Sequence, residues 1–199
     1  MLSFPVSGSK PSSRALGLHP GYIASRTYAT VPGITPTGAA VPAVDVIYLY
    51  PFQVFSRITI AALRIRVTSA GTGSSAKGAI WANSTVSMRP LGAPLLSDNT
   101  GVVTTSGNAD AVLAATGSLN PGIYWAGTKH TGTLPQTLSV PASNTWVGFI
   151  AGFATASGAA QNAYSFADAY ANALPTFAEG ASFTSLSGAS GCPLIYLVT

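Results

Sequence analysis

Between residues 58 and 68 apolar and polar side chains alternate: Ile58-Thr59-Ile60, then Leu63-Arg64-Ile65-Arg66-Val67-Thr68. A period of two puts successive side chains on opposite faces of an extended chain. This stretch therefore specifies half-buried strand, with Arg64 and Arg66 turned away from the core. The phase of the alternation changes between Ile60 and Leu63. Because a one-residue slip would turn the apolar face to water, the pattern predicts a β-bulge at Ala61-Ala62.

The same texture continues along the chain. Val46-Ile47-Tyr48-Leu49-Tyr50 reads as a strand, and Pro51 predicts an edge, a bend or a change of sheet there. Residues 77–83, with Ile80 and Trp81, form a further strand, and Arg89-Pro90-Leu91-Gly92-Ala93-Pro94 predicts a wide connection. Short strands are expected at 95–97 and 102–104 on either side of Asp98-Asn99-Thr100-Gly101. Two more, at 111–116 and 123–129, flank a tight turn at Leu119-Asn120-Pro121-Gly122. Strands at 138–140, 146–155 and 193–198 complete the series, and residues 156–190, rich in Ala, Ser and Gly, read as a long loop. The composition agrees: 21 Gly and 14 Pro punctuate 199 residues, and charged side chains make up 7%, against roughly 25% in an average soluble domain. Helical bundles and coiled coils, whose outer faces need regular Glu, Lys and Arg, are excluded. A hydrophobic share of 47% excludes disorder of the whole chain. The expected fold is all-β, an antiparallel sandwich of jelly-roll type, without internal repeats.

Residues 1–44 have no periodic apolar pattern, and Pro5, Pro11, Pro20, Pro32, Pro36 and Pro42 are spaced along them. They read as an extended arm that docks on a partner chain or along its own domain, with residues 45–199 forming the sandwich. The start of the chain has neither a basic leader nor an apolar core, so no secretory signal is expected. No apolar run is long enough to insert in a membrane.

Catalytic chemistry is sparse. Asp45, Asp98, Asp110, Asp168 and Glu179 show no paired spacing, and His19 and His130 have no partner at metal-ligand spacing. His130, in Lys129-His130-Thr131-Gly132, is expected to be a solvated turn residue. Cys192, the single cysteine, is expected to be a buried, inert thiol. The sequence thus predicts no enzyme, no cofactor and no metal. Eight of the nine cations fall in residues 1–89, against Asp45 alone, whereas residues 90–199 hold Lys129 and four carboxylates. The cations are scattered singly through strands rather than gathered in a run with aromatics, so nucleic acid is not the expected partner. Trp81, Trp125 and Trp146 lie within expected strands and are assigned to the core. Tyr164, Phe166, Asp168, Tyr170 and Asn172, in the long loop, are the residues offered for contact with a glycan or a partner.

The order of these segments resembles a known family. Tyr48…Pro51-Phe52, the 58–68 strand, Gly78-Ala79-Ile80-Trp81, Arg89-Pro90-Leu91-Gly92 before Leu95-Leu96, and above all Leu119-Asn120-Pro121-Gly122-Ile123-Tyr124-Trp125-Ala126 are similar to the jelly-roll modules of phage head-fibre, spike and tail-fibre proteins. The likeness covers about residues 46–199 and includes Ala173-Leu174-Pro175-Thr176-Phe177 before the last strand. It implies a non-enzymatic virion protein assembled in the bacterial cytoplasm, with a sandwich that projects outward and host-surface polysaccharide as a candidate ligand. The arm, through Lys10, Arg14, Tyr22, Arg26 and Tyr28, would anchor it to other virion proteins. A cyclic homo-oligomer, a trimer for preference, is implied as well. A capsid cement or decoration protein with no host ligand is the alternative.

Overall fold

The computed structural model describes residues 21–31, 36–41, 43–140, 161–187 and 192–199. Its regular elements are all strands: β1 (Thr27–Ala29), β2 (Thr37–Ala40), β3 (Val46–Val54), β4 (Ile58–Ile60), β5 (Ala62–Ser69), β6 (Ser75–Asn83), β7 (Pro90–Val103), β8 (Ala109–Leu113), β9 (Gly117–Leu119), β10 (Gly122–Thr131), β11 (Gln136–Val140), β12 (Gln161–Ala167), β13 (Thr184–Ser187), β14 (Cys192–Pro193) and β15 (Ile195–Val198). Every ladder is antiparallel. One sheet runs β1-β15-β5-β11-β14, with β2 added to β11 and β8 to β5; the other runs β13-β12-β3-β10-β6-β7. The two pack as a sandwich, and a small β4-β9 ladder stands beside them.

Alternation builds the core between the sheets. Leu63, Ile65 and Val67 of β5 meet Tyr48, Tyr50, Phe52 and Val54 of β3, with Ile80, Leu113, Ile195 and Leu197 around them. One polar tie crosses this core. The Tyr50 hydroxyl accepts the Ile195 N–H at 2.6 Å and lies 2.7 Å from Thr30 Oγ1, which itself donates to the Ile195 carbonyl at 2.8 Å. A buried phenol is costly unless hydrogen-bonded, and here its bonds lock β3 to the last strand of the opposite sheet.

β3 is buried on both faces, because Ile47 and Leu49 belong to a second cluster with Ala79, Trp81, Trp125, Tyr164, Leu174 and Phe177. Trp81 and Trp125 are thus fully buried, as expected, but outside the inter-sheet layer. They lie on the far side of the six-stranded sheet, beneath the segment that joins β12 to β13. Gly127, two residues beyond Trp125 on β10, permits the close packing: a Cβ there would lie 2.6 Å from Leu49 Cδ2 and 2.9 Å from Trp81 Cζ3.

Several local expectations are corrected. The phase change at Ala61 is a break and not a bulge. β4 pairs with β9, exposed Ala61 donates to the Val198 carbonyl at 2.7 Å, and β5 starts afresh in the larger sheet. Pro51 marks a local edge, one of the expected alternatives, within a strand that runs on through it. β10 pairs along one side of it, whereas the ladder to β12 covers residues 46–49 only and stops short of the residue with no N–H to give. The connection at 89–94 and the short strands at 95–97 and 102–104 run together as one 14-residue strand, β7, whose register against β6 shifts over residues 92–95. Asp98 carries the strand through a second shift: its carboxylate accepts the N–H groups of Thr100 and Gly101 at 2.9 Å each and of Ala114 at 2.8 Å. The chain bulges at residues 99–101 without leaving the sheet, with Gly101 at φ +86°. Within the expected loop at 156–190, β12 and β13 form a paired hairpin. The strand expected at 146–155 lies outside the described residues, as do Trp146 and His19.

His130 is not a solvated turn residue. It sits in β10, fully buried, and neither ring nitrogen has a hydrogen-bond partner among the described residues. Burial pushes its pKa down to about 4.

Gly127→Ala should lower stability by about 1–3 kcal/mol through overpacking, seen as a reduced urea midpoint. For His130, the unfolded chain takes up a proton near pH 6.5 and the folded chain only near pH 4. Stability therefore falls as pH drops through that window, by up to about 3 kcal/mol. The wild-type urea midpoint should fall between pH 7 and pH 4.5 by more than that of His130→Leu; equal slopes would contradict the assignment.

Candidate functional site

Of the residues offered by the sequence for glycan or partner contact, Asp168, Tyr170 and Asn172 lie on the segment from Asp168 to Phe183 that covers the outer face of the six-stranded sheet, and Tyr164 and Phe166 lie on β12 in the cluster with it. Lys77 on β6 and Lys129 on β10 are register partners, so both side chains rise from the same face. A Lys on a two-sided buried sheet must find acceptors, and the covering segment supplies them. Lys129, with no exposed side-chain surface, pairs with Asp168 and donates to the carbonyls of Ala169 at 2.9 Å and Asn172 at 3.0 Å. Lys77 donates to the carbonyls of Tyr170 at 2.8 Å and Asn172 at 3.0 Å, and its ammonium stands 4.8 Å from the centroid of the Tyr170 ring. Desolvation, and then the neighbouring Lys129 charge, hold the Lys77 pKa below the usual lysine range.

The rest of the segment is held in the same manner. Asp45 accepts the Tyr170 N–H at 2.6 Å through its carboxylate and the Asp168 N–H at 2.9 Å through its carbonyl. Asn99, presented by the Asp98 bulge, accepts the Leu174 N–H at 2.6 Å, and Trp81 Nε1 donates to the Pro175 carbonyl at 3.0 Å. Gly92 and Phe177 exchange backbone bonds of 2.8 and 3.0 Å, and Ser84 donates to Glu179 at 2.7 Å. Beneath them lies an aromatic layer of Trp81, Trp125, Tyr164, Phe166, Phe177 and Phe183, with centroids 5.1–6.0 Å apart in its contacting pairs.

This geometry gives each predicted residue a place. Tyr164 is buried in that layer and stacked under Arg89, whose guanidinium carbon is 5.0 Å from the ring centroid. Phe166 packs beside it, half-buried. Asp168 and Asn172 bond to each other at 3.0 Å, and the segment carrying them and Tyr170 is held by the lysines. The expectation of a contact loop overlooked Lys77, Lys129 and Asp45. Nothing in their one-dimensional spacing marks them, although two lone Lys inside apolar strands were a signal that acceptors must lie over that face.

Of the arm residues, Lys10 and Arg14 lie outside the described residues. Tyr22 and Tyr28 meet edge to face at 5.0 Å and pack against the inter-sheet core. The Arg26 backbone exchanges bonds with Thr199, and β1 pairs with β15. β2, at residues 37–40, pairs with β11. Cys192 is buried and burial pushes its thiol pKa up.

The outer face of the seven-stranded sheet is built differently. Arg64 and Arg66 stand there as alternation requires, both directed at Asp110 on β8, at 3.5 and 3.2 Å. Thr27, Leu138 and Tyr196 complete a groove of about 270 Å³ around them. Burial raises the Tyr196 pKa, the Asp110 charge adds to this, and Arg66 opposes it.

Lys129→Met should therefore cost about 3–5 kcal/mol, because it strands Asp168 and leaves loop carbonyls unpaired. The loss should appear in urea unfolding together with a red shift of Trp81 and Trp125 fluorescence as the cover loosens. Arg66→Gln, at a half-exposed pair, should change stability by less than about 1 kcal/mol. Comparison of the chain with protein-family models, with curated proteins and with solved structures finds no match.

Proposed function

We propose that this chain is a non-enzymatic virion structural protein, a phage fibre or spike subunit. In this reading its sandwich, wound as a jelly roll, projects from the particle, and residues 1–44 lead toward other virion proteins. The observation that carries the reading is the commitment of polar side chains to the fold's own backbone. Lys77, Lys129, Asp45, Asp98 and Asn99 are engaged with main-chain groups. What the sandwich offers to other molecules is then surface. That surface is poor in charge and carries exposed apolar side chains at Ile23, Val86, Leu95 and Val103, which suits a chain flanked by copies of itself and by neighbouring virion proteins. Host-surface polysaccharide is the candidate ligand of a face left open.

Because β1 and β2 belong to the larger sheet, the anchoring role is tested by removing residues 1–20, which leaves both strands in place. The truncated protein should fold with an unchanged melting temperature and fail to join particles; attachment at the full level would refute anchoring. Electron microscopy of particles should find the protein at discrete projecting sites in cyclic groups, trimers for preference. An even coat over the capsid lattice would favour a decoration protein instead.

A further inference from the structure

The groove on the outer face of the seven-stranded sheet exists because β5 changes partner along one side. It pairs with β15 through residues 62–65 and with β11 through 67–69, while β8 runs along its other side. Arg64 and Arg66 sit at that handover, flanked by Tyr196 of β15 and Leu138 of β11. Two guanidinium groups share one carboxylate, Asp110, so the groove retains a net positive charge. Both ion pairs are more than a third exposed, at 3.2 and 3.5 Å, and such pairs hold weakly in water. A planar guanidinium with unused donors suits a carboxylate or sulfate, which it meets through two parallel bonds. The remaining walls, the Tyr196 ring, the Leu138 side chain and Thr27, suit a ring with one apolar face and hydroxyl groups.

We infer that this groove is a subsite for a single acidic sugar residue, a pyranose carrying a carboxylate or a sulfate, within a surface polysaccharide. The acid group bridges Arg64 and Arg66 in competition with Asp110, and the C–H face of the ring lies on Tyr196. Nucleic acid fits less well, since phosphate tracking needs a row of cations and this groove has two. The inference rests on the reading that the sandwich is presented to host glycans.

The test is calorimetric titration of the full chain with a galacturonic acid trisaccharide, a sulfated galactose trisaccharide, a neutral galactose trisaccharide, a short oligothymidylate and inorganic sulfate. At least one acidic sugar should bind at least about tenfold more tightly than the neutral one, with salt-sensitive affinity. Arg64→Gln and Arg66→Gln should each weaken that binding by about tenfold with unchanged melting temperatures. Asp110→Asn should tighten it, an effect a merely structural ion pair would not give. Equal affinity for neutral and acidic sugars, indifference to both arginine variants, or sulfate or oligothymidylate binding as tightly as the sugars would each overturn the inference. Particle microscopy separates this from the wider reading: a projecting protein that binds no acidic sugar overturns the groove alone. A sugar-binding protein absent from particles overturns the fibre assignment alone.

Discussion

Two lysines opposite each other on β6 and β10 decide how the rest of this molecule is covered. The six-stranded sheet is apolar on both faces: one meets the opposite sheet, and the other carries Ile47, Leu49, Trp81 and Trp125. Leaving that second face in water would forfeit burial of two tryptophans, each a large apolar surface. The segment that covers it follows β12 and forms no strand of its own until β13, apart from a single bridge at Phe177. Its backbone carbonyls need donors away from water. Lys77 and Lys129 supply them, and Asp168 offsets part of their mutual repulsion. The apolar cover and the buried ammonium groups therefore depend on each other, and neither would be stable alone.

The Asp98 bulge is part of the same device. By accepting three backbone N–H groups, Asp98 lets β7 accommodate residues 99–101 opposite Lys77 and points Asn99 at Leu174. One carboxylate thus extends the sheet edge and helps to fasten the cover. In this cover Tyr164 and Phe166 pack in the aromatic layer, and Asp168 bonds to Lys129 and Asn172. Among the described residues nothing comparable lies over Arg64, Arg66 and Tyr196 of the larger sheet, and that difference directs attention to this face.

Much of the architecture was legible in the chain. Period-two alternation in β5 located the core face of the larger sheet and correctly turned Arg64 and Arg66 outward. The break at Asn120-Pro121 before β10 was equally plain from its Pro and Gly, whereas the last strand expected at 193–198 divides at Leu194 into β14 on β11 and β15 on β5. Less legible were features that depend on a partner strand. Continuity of β3 through Pro51 follows from where β12 stops pairing, and continuity of β7 through Gly101 follows from the Asp98 acceptor. His130 looked like a turn residue because polar neighbours surround it in sequence; its burial follows from the strands on either side of β10.

The sequence by itself determined that the chain is all-β and antiparallel, which strands carry the core, and that charge would be scarce on the surface. Periodicity, turn chemistry and composition act locally and can be read without knowing which strand lies next to which. Only the tertiary structure decided that Trp81 and Trp125 pack on the outer face, that two scattered lysines hold one loop, and that Arg64 and Arg66 share Asp110 across a groove. Each of these joins residues tens of positions apart, and each arises from sheet register, which brings the cost of a buried charge and the acceptors that offset it to the same place.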